Sequence, residues 1–362
     1  MIDLVTPALR DPLAPLALDL AGWDLLIRQA RAANLLARLA HDLQQADRLD
    51  AVPAAPRAHL QGAHVLAQRQ RIEVRTEARR VAQALADVDL PLVLLKGAAY
   101  ALADLPWAAG RLFGDIDLIV PRTALADAET GLLCHGWISS HLSPYDQKYY
   151  RRWMHELPPL AHTRRQTVLD VHHNILPATA RHPPDAGLLL AQAQPIPTAD
   201  GCDIRVLCPT DMVLHSACHL FHEGELDNGL RDLADLDGLL RHFGNAAFWP
   251  ALLARSEVLH LQRPLYYALH LCQEILATPV PLTVMEGAGT HAPGYARLMD
   301  ALYRRALRPV HYAADDRFTP LARWLLYIRG HWLRMPPHLL AWHLGRKALV
   351  DRFGLDEAVH PA

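Results

Sequence analysis

Residues 92–120 read LVLLKGAAYALADLPWAAGRLFGDIDLIV, and this stretch decides the fold. Its first apolar run, bounded by Pro91 and Gly97, is typical of a short buried strand, and the residues after Gly97 predict a helix. The second apolar run, 115–120, predicts another strand that ends at Pro121. The order strand, helix, strand predicts a mixed α/β core built around these residues.

Two aspartates open the second of these strands. Asp115 and Asp117 are two residues apart, so their carboxylates project from the same face, with roughly 6 to 7 Å between the Cα atoms. Two like charges at this spacing need a cation, and Mg²⁺ prefers oxygen ligands. A solvent-facing edge strand would also explain D-x-D alone, but the wholly apolar residues 118–120 favour a metal site for phosphoryl chemistry.

Phosphate ligands are expected at the turn between the first strand and its helix. Gly97 stands where backbone N–H groups and the helix dipole can receive phosphate, and Lys96 would add positive charge. Arg111 is a second phosphate ligand in this interpretation, because a guanidinium binds two phosphate oxygens at once. Taken singly, a glycine at such a turn is more often structural, and the run does not match the Walker pattern.

Helical patterns flank the predicted core on both sides. Apolar residues recur at three- and four-residue intervals from Leu16 to about Ala86, and the chain again has helical spacing from residue 209 onward. The sequence therefore predicts an α+β protein with a mixed-sheet core. Its expected divisions are an N-terminal helical region, a core and a C-terminal helical domain, at 1–87, 88–208 and 209–362.

Four segments together carry a family resemblance: LLKGAAYAL at 94–102, Arg111, DIDLIV at 115–120 and VLDVHHNI at 168–175. They resemble the bacterial group of uncharacterised nucleotidyltransferases, within the nucleotidyltransferase superfamily of DNA polymerase β-like fold. The resemblance implies that Asp115 and Asp117 bind metal and that Asp170 is the third acid, serving as general base or second-metal ligand.

The same resemblance implies a reaction and its cofactor. A nucleoside monophosphate would pass from an NTP to an acceptor, with pyrophosphate leaving and Mg²⁺ or Mn²⁺ bound. The chain departs from the family pattern at Ala98, where Gly or Ser usually follows the glycine, and in a longer interval between Gly97 and Asp115. These departures favour an alternative, a binding or regulatory protein that keeps the fold without turnover, whereas the three acids favour an enzyme.

Histidines supply the remaining site candidates. His172 shares a strand face with Asp170, so it would touch the acceptor or tune that carboxylate. His219 is a candidate for lining the acceptor site, within a helical stripe with His215 and His222. That stripe could bind zinc in a hydrolase, but Ser216 stands where the metalloprotease motif has Glu, so a polar helix contact is favoured.

Composition limits the partners. With 36 basic and 38 acidic residues the net charge is -2, which makes a long nucleic acid an unlikely acceptor and favours a small molecule, peptide or protein. A partner protein from a biosynthetic cluster is a further expectation. Five cysteines without CxxC spacing, and no apolar run of membrane-spanning length, predict a cytoplasmic protein without a membrane span. The aromatic stretch 324–342 is interpreted as a helix pair rather than a membrane-surface helix.

Overall fold

The computed structural model describes residues 1–139, 149–198, 201–222 and 224–334, together with residues 147 and 336. The sequence 136–140 also predicts a strand, and its last residue, Ser140, lies outside the described residues, as does most of the stretch 335–342. Within them, no helix combines the length and the apolar character that crossing a bilayer requires. All five cysteines are free thiols.

The N-terminal periodicity produces helices that pack against the core, as predicted. Asp19 begins the second of them, because its side chain accepts a hydrogen bond of 2.8 Å from the Gly22 backbone N–H. The last is a long helix of 33 residues that packs against the strand Leu92–Leu94 and the helix after that strand. The bounds are α1 Val5–Arg10, α2 Leu20–Ala32, α3 Leu36–Gln45 and α4 Ala54–Ala86.

The described strands all fall between residues 92 and 206 and form one mixed sheet. Their spatial order is β3-β4-β5-β2-β1-β7-β6. The strands are β1 Leu92–Leu94, β2 Ile116–Ile119, β3 Trp137–Ser139, β4 Leu160–His162, β5 Val168–His172, β6 Gln194–Pro195 and β7 Ile204–Val206. The helices α5 Lys96–Leu102, α6 Leu125–Cys134 and α7 Ala186–Ala191 connect them. The predicted strands are confirmed. The runs 157–162 and 167–172, on either side of the polar residues 164–166, predict a hairpin, and they form β4 and β5. β6 and α7 carried no clear sequence signal.

Two pairings at the centre of the sheet place the predicted site. β1 and β2 are antiparallel, so the residue that follows β1 lies beside the start of β2. β2 and β5 are parallel, with Asp117 directly opposite Asp170. Neighbouring strands are about 4.8 Å apart, and side chains at paired positions point to the same face. The sheet therefore brings Lys96, Asp117 and Asp170 together although 74 residues separate the first from the last.

The C-terminal helices complete one hydrophobic core that is continuous with the core of the sheet. Trp23, Leu94, Leu118, Phe221 and Tyr267 all belong to this cluster, and each is at most 1 % exposed. The predicted α+β class is confirmed; the division points at 87 and 208 stay a prediction. These helices are α8 Pro209–His222, α9 Gly229–Phe243, α10 Phe248–Val258, α11 Gln262–Leu276, α12 Leu282–Gly289, α13 Ala296–Ala306 and α14 Thr319–Arg334.

A buried ion pair ties α10 to the core. The Arg255 guanidinium donates two hydrogen bonds of 2.7 Å to the carboxylate of Asp211, whose side chain is fully buried in the first turn of α8. Arg255 also donates to the backbone carbonyl of Leu188 in α7. Removing one partner of such a pair leaves an uncompensated charge in a site that water does not reach.

Replacing Arg255 by Ala is therefore expected to lower the free energy of unfolding by about 3 to 5 kcal/mol, measured by urea denaturation. Arg28→Ala is the matched control. Arg28 pairs with Asp24 on α2 where both side chains are more than half exposed, and loss of such a pair changes stability by about 0.5 kcal/mol. Equal losses of stability in the two variants would contradict the assignment of Arg255 and Asp211 as a buried ion pair.

Candidate nucleotide and metal site

A pocket of about 580 Å³ opens where the sheet meets the N-terminal and C-terminal helices. This volume lies within the range of small-molecule sites. Charged and polar side chains dominate its wall, which is unusual for a site that binds an apolar ligand. The lining residues are Asn34, Gln70, Lys96, Gly97, Tyr100, Arg111, Leu112, Phe113, Gly114, Asp115, Asp117, Ser216, His219, Glu225, Asp227, Asn228, Arg231, Asp232 and Asp235.

Asp117 is the most buried acid of the predicted triad, with 5 % of its surface exposed. Its Oδ1 accepts from Lys96 Nζ at 3.1 Å and lies 3.0 Å from His172 Nε2. Burial alone would raise the pKa of Asp117, but the Lys96 charge and the hydrogen bond from His172 outweigh it and hold the pKa well below its ordinary value. Asp117 is therefore ionised at neutral pH.

Asp115 lies one residue before β2, at the solvent-accessible mouth of the pocket. It shares the face of Asp117, as the two-residue spacing predicts. Neighbouring protein atoms that displace water, together with the charge of Asp117, raise the pKa of Asp115. The carboxylates are therefore close enough to repel one another, and a bound cation would relieve that repulsion.

Asp170 faces Asp117 from β5 and lies beside the pocket rather than in its lining. Its Oδ1 is buried and makes no hydrogen bond within the described part of the chain. Burial and the neighbouring charge of Asp117 raise the pKa of Asp170 to about 7. A buried carboxylate oxygen without a donor, next to two further carboxylates, fits a divalent cation that prefers oxygen ligands.

The strand-to-helix turn holds Lys96 in a left-handed backbone conformation, with φ of 43°. A residue other than glycine rarely adopts this region, and such strain is concentrated at functional sites. At Gly97, which follows it, the Arg111 guanidinium occupies the space that a side chain would fill. A Cβ at position 97 would be 2.1 Å from Arg111 Nη1, so a side chain there would require the guanidinium to move. The three predicted phosphate ligands are therefore in one place.

Arg111 is fixed by groups from both sides of the pocket. Its Nε donates to Asp235 Oδ2 at 2.8 Å, and its Nη1 donates to the backbone carbonyl of Leu112. The rings of Tyr100 and Phe113 flank the guanidinium, with centroids at 6.0 and 5.4 Å. Burial alone would lower the pKa of Arg111, but Asp235 outweighs it, so the cation is retained. The residue is a pre-oriented positive charge inside the pocket.

Helical residues outside the predicted core also build the site. Gln70 on α4 accepts a hydrogen bond of 3.0 Å from the Phe113 backbone N–H and so fixes the loop before Asp115. Tyr100 and Ser216 share a buried hydrogen bond across the floor of the pocket. Sequence analysis missed these residues, because their role depends on contacts between distant parts of the chain.

The charge pattern of residues 231–235 predicts an ion-paired helix face, and the structure has one. Arg231 donates to Asp232 Oδ1 at 2.8 Å, and Asp235 binds Arg111 of the core. Both aspartates also line the pocket, which the sequence interpretation did not assign. Its signal was the spacing in Arg-Asp-Leu-Ala-Asp-Leu, which places both carboxylates on nearly the same side of α9.

The predicted histidines occupy different places. His219 lines the pocket, with Nδ1 3.9 Å from Asp232 Oδ2, whereas His172 lies beside the pocket on β5. His215 is buried below Lys96, and burial followed by the Lys96 charge lowers its pKa well below the ordinary value. His222 lies at the end of α8, with Nδ1 3.9 Å from Cys218 Sγ.

The sequence that builds this site matches a known protein family. Residues 19–277 match the model of a family described as uncharacterised nucleotidyltransferase. The chain belongs to this family. The matched span includes α2, the whole sheet and the helices through α11, so it contains every part of the pocket. Family membership indicates nucleotidyl transfer as the general reaction. No curated protein and no solved structure matches the chain.

The raised pKa of Asp170 makes a pH-dependent stability difference testable. Folded protein keeps a proton on Asp170 up to about pH 7, whereas the unfolded chain loses it near pH 3.8, so wild-type stability falls as the pH rises through this window. Asp170→Asn removes that loss. In metal-free buffer the variant should gain stability relative to wild type between pH 5 and pH 8, by at most about 4 kcal/mol.

Urea unfolding of both proteins at each pH measures this gain. Asp127→Asn, which removes an exposed acid on α6, is the control for the substitution itself. A stability difference between Asp170→Asn and wild type that stays constant with pH would contradict the raised pKa of Asp170.

The close contact between Gly97 and Arg111 predicts strong coupling between the two positions. Gly97→Ala should displace the guanidinium from Asp235 and destabilise the protein by about 3 kcal/mol, because Asp235 then lies buried without its cation. In an Arg111→Ala background the same change should cost little, which gives a coupling energy above about 1 kcal/mol in a double-mutant cycle.

Gly62→Ala provides the control for the added methyl group. A Cβ at this position on α4 meets no atom within 4 Å, and Ala in a helix interior is about 1 kcal/mol better than Gly. Additive effects of Gly97→Ala and Arg111→Ala would contradict the contact.

Proposed function

We propose that the protein is a Mg²⁺-dependent nucleotidyltransferase that moves a nucleoside monophosphate from an NTP to a small-molecule, peptide or protein acceptor. Pyrophosphate leaves. The observation that carries the proposal is that Asp115, Asp117 and Asp170 share one face of the sheet beside a pocket containing Lys96 and Arg111. Carboxylates for a metal and cations for a triphosphate are the two requirements of this chemistry.

The three aspartates would hold Mg²⁺, or Mn²⁺ in its place. When bound, the cation neutralises charge on phosphate oxygens and orients the nucleotide. Asp117 is suited to this role because it is ionised and fixed by Lys96 and His172 before any ligand arrives. Asp115 lies at the mouth, where a nucleotide would enter.

Lys96, Gly97 and Arg111 would bind the triphosphate. Gly97 is the first residue after Lys96 in α5, so its backbone faces the same end of the pocket as the Lys96 ammonium. Arg111 is already oriented by Asp235, so little side-chain entropy is lost when phosphate binds. An arginine that is already oriented in this way has an advantage over a surface arginine, which only the ligand would order.

Asp170 would receive the proton of the acceptor. Its buried Oδ1, which makes no hydrogen bond within the described part of the chain, is available for that proton. The proton would leave an acceptor hydroxyl or amine as its oxygen or nitrogen attacks the α-phosphorus of the NTP. His219 in the pocket wall is the residue proposed to contact the acceptor, whereas His172 beside Asp170 is buried and would act by orienting Asp117.

The surroundings of the pocket suit a compact acceptor. The pocket wall mixes acidic with basic side chains, and the whole chain has a net charge of -2, so a long polynucleotide would meet repulsion outside the NTP site. We infer a cytoplasmic location, where NTP and Mg²⁺ are both abundant. A protein encoded in the same biosynthetic cluster would supply or carry the acceptor.

Binding of NTP should depend on Mg²⁺ and on the aspartate pair. Calorimetric titration of the purified protein with each of the four NTPs is expected to show binding in Mg²⁺ that falls at least tenfold in affinity after removal of the metal. Asp115→Asn and Asp117→Asn should each cause a similar loss, because an amide cannot supply the anionic oxygen that the cation requires.

Asp127→Asn is the matched control, since it removes the same charge from an exposed helix away from the pocket. Wild type that binds no NTP in Mg²⁺ would refute the enzymatic proposal. Tight Mg²⁺-dependent binding with no pyrophosphate released, across amine, hydroxyl and phosphate acceptors, would instead favour the binding or regulatory protein.

A further inference from the structure

Three potential metal ligands lie together behind the acid site, outside the nucleotide pocket. They are His155, Glu156 and His172, and one ligand atom from each lies within 4.8 Å of the others. Within the described residues no other three His, Cys, Asp or Glu side chains approach so closely. This holds for Asp115, Asp117 and Asp170 too, and a Mg²⁺ ion held by them would take its remaining ligands from water and phosphate. We propose that these three residues bind a divalent transition-metal ion, Zn²⁺ in the first instance.

Backbone pairing fixes the position of this group. The His173 N–H donates to the His155 carbonyl at 2.7 Å, and the Leu157 N–H donates to the Val171 carbonyl at 2.8 Å. Between these bonds Glu156 is bridged to His172 across an antiparallel pair. The segment that carries His155 and Glu156 is therefore paired with the end of β5 in an antiparallel arrangement. The ligands are held by main-chain hydrogen bonds, as a preformed metal site requires.

The distances suit a zinc ion. His172 Nδ1 and Glu156 Oε2 are 3.3 Å apart, and ligand atoms of a tetrahedral zinc site with bonds of 2.0 to 2.1 Å are roughly 3.4 Å apart. The His155 ring stacks on the His172 ring with centroids 5.2 Å apart. Since no ligand atom is more than 4.8 Å from another, closing the set needs movements of at most roughly 1.4 Å.

The bonding of His172 favours a cation at this position. Its Nε2 lies 3.0 Å from Asp117 Oδ1 and donates to it, so Nδ1 is the ring nitrogen directed at Glu156. A metal ion bound by Nδ1 and by the Glu156 carboxylate would lie between the two. A histidine that donates its second ring nitrogen to a carboxylate is the usual orientation of a metal-binding imidazole.

The number and the types of these ligands fit a zinc ion. Zinc in a site that keeps one position for water takes three protein ligands, and His155, Glu156 and His172 would supply them. Two imidazoles with one carboxylate select zinc or another transition metal, and Mg²⁺ prefers oxygen alone. His155 and His172 are 7 % and 4 % exposed, whereas the Glu156 side chain is 21 % exposed, so the imidazoles are buried and the carboxylate reaches solvent.

This site would differ in role from the proposed Mg²⁺ site. His155 and Glu156 would be positioning residues, because the ion would hold His172 and, through it, the carboxylate of Asp117. The inference goes beyond the proposed function and does not depend on turnover, since zinc content and thermal stability report on it directly.

The test uses the full chain, purified without a chelator and without a histidine tag. Metal analysis by mass spectrometry is expected to find about one zinc ion per chain. Glu156→Gln and His155→Asn should each reduce that content at least tenfold. After chelation, addition of Zn²⁺ at micromolar concentration should raise the melting temperature of wild type and leave that of both variants unchanged.

Two further variants locate the ion. His222→Asn, on the histidine stripe of α8, should keep its zinc, and Asp115→Asn should keep its zinc while losing Mg²⁺-dependent NTP binding. The proposal is overturned if folded wild type takes up no zinc, if Glu156→Gln and His155→Asn keep their zinc, or if His222→Asn loses as much. Circular dichroism of the stripped variants confirms that a lost ion is not a lost fold.

Discussion

The burial of a negative charge at Asp117 is the constraint on which the rest of the site depends. An ionised carboxylate removed from water is costly unless charged donors compensate for it, and here two other aspartates increase the cost. Lys96, at the start of α5, and His172, on β5, supply that compensation. The pairing register of the central strands therefore determines the electrostatics of the site, because a shift by one residue would turn these side chains to opposite faces of the sheet.

Helices that flank the sheet serve the site as directly as the strands do. Asp235 on α9 orients Arg111, and Gln70 on α4 fixes the loop in front of Asp115. Since one core joins the N-terminal helices, the sheet and the C-terminal helices, these long-range hydrogen bonds add little conformational cost of their own. The pocket is an assembly of the entire matched family region rather than a feature of the strands alone.

Sequence patterns predicted the sheet and most residues of the candidate site, because both depend on local patterns of apolar and polar residues. The apolar run before Lys96, the D-x-D pair and the alternation around Asp170 each indicate a strand and a face without reference to the rest of the chain. The partners of these residues could not be predicted. Arg111 and Asp235 are 124 residues apart, and Glu156 lies just before a predicted hairpin arm with no periodic signal of its own. Such pairs depend on how helices dock, which local patterns do not contain.

The packing of Arg111 over Gly97 has an evolutionary consequence. A side chain at position 97 would require the guanidinium of Arg111 to move, and that movement would leave Asp235 without its cation. Homologous chains should therefore fall into two groups, one with the whole Gly, Arg and Asp set and one in which all three have been exchanged together. Intermediates with only one of the three replaced would be selected against.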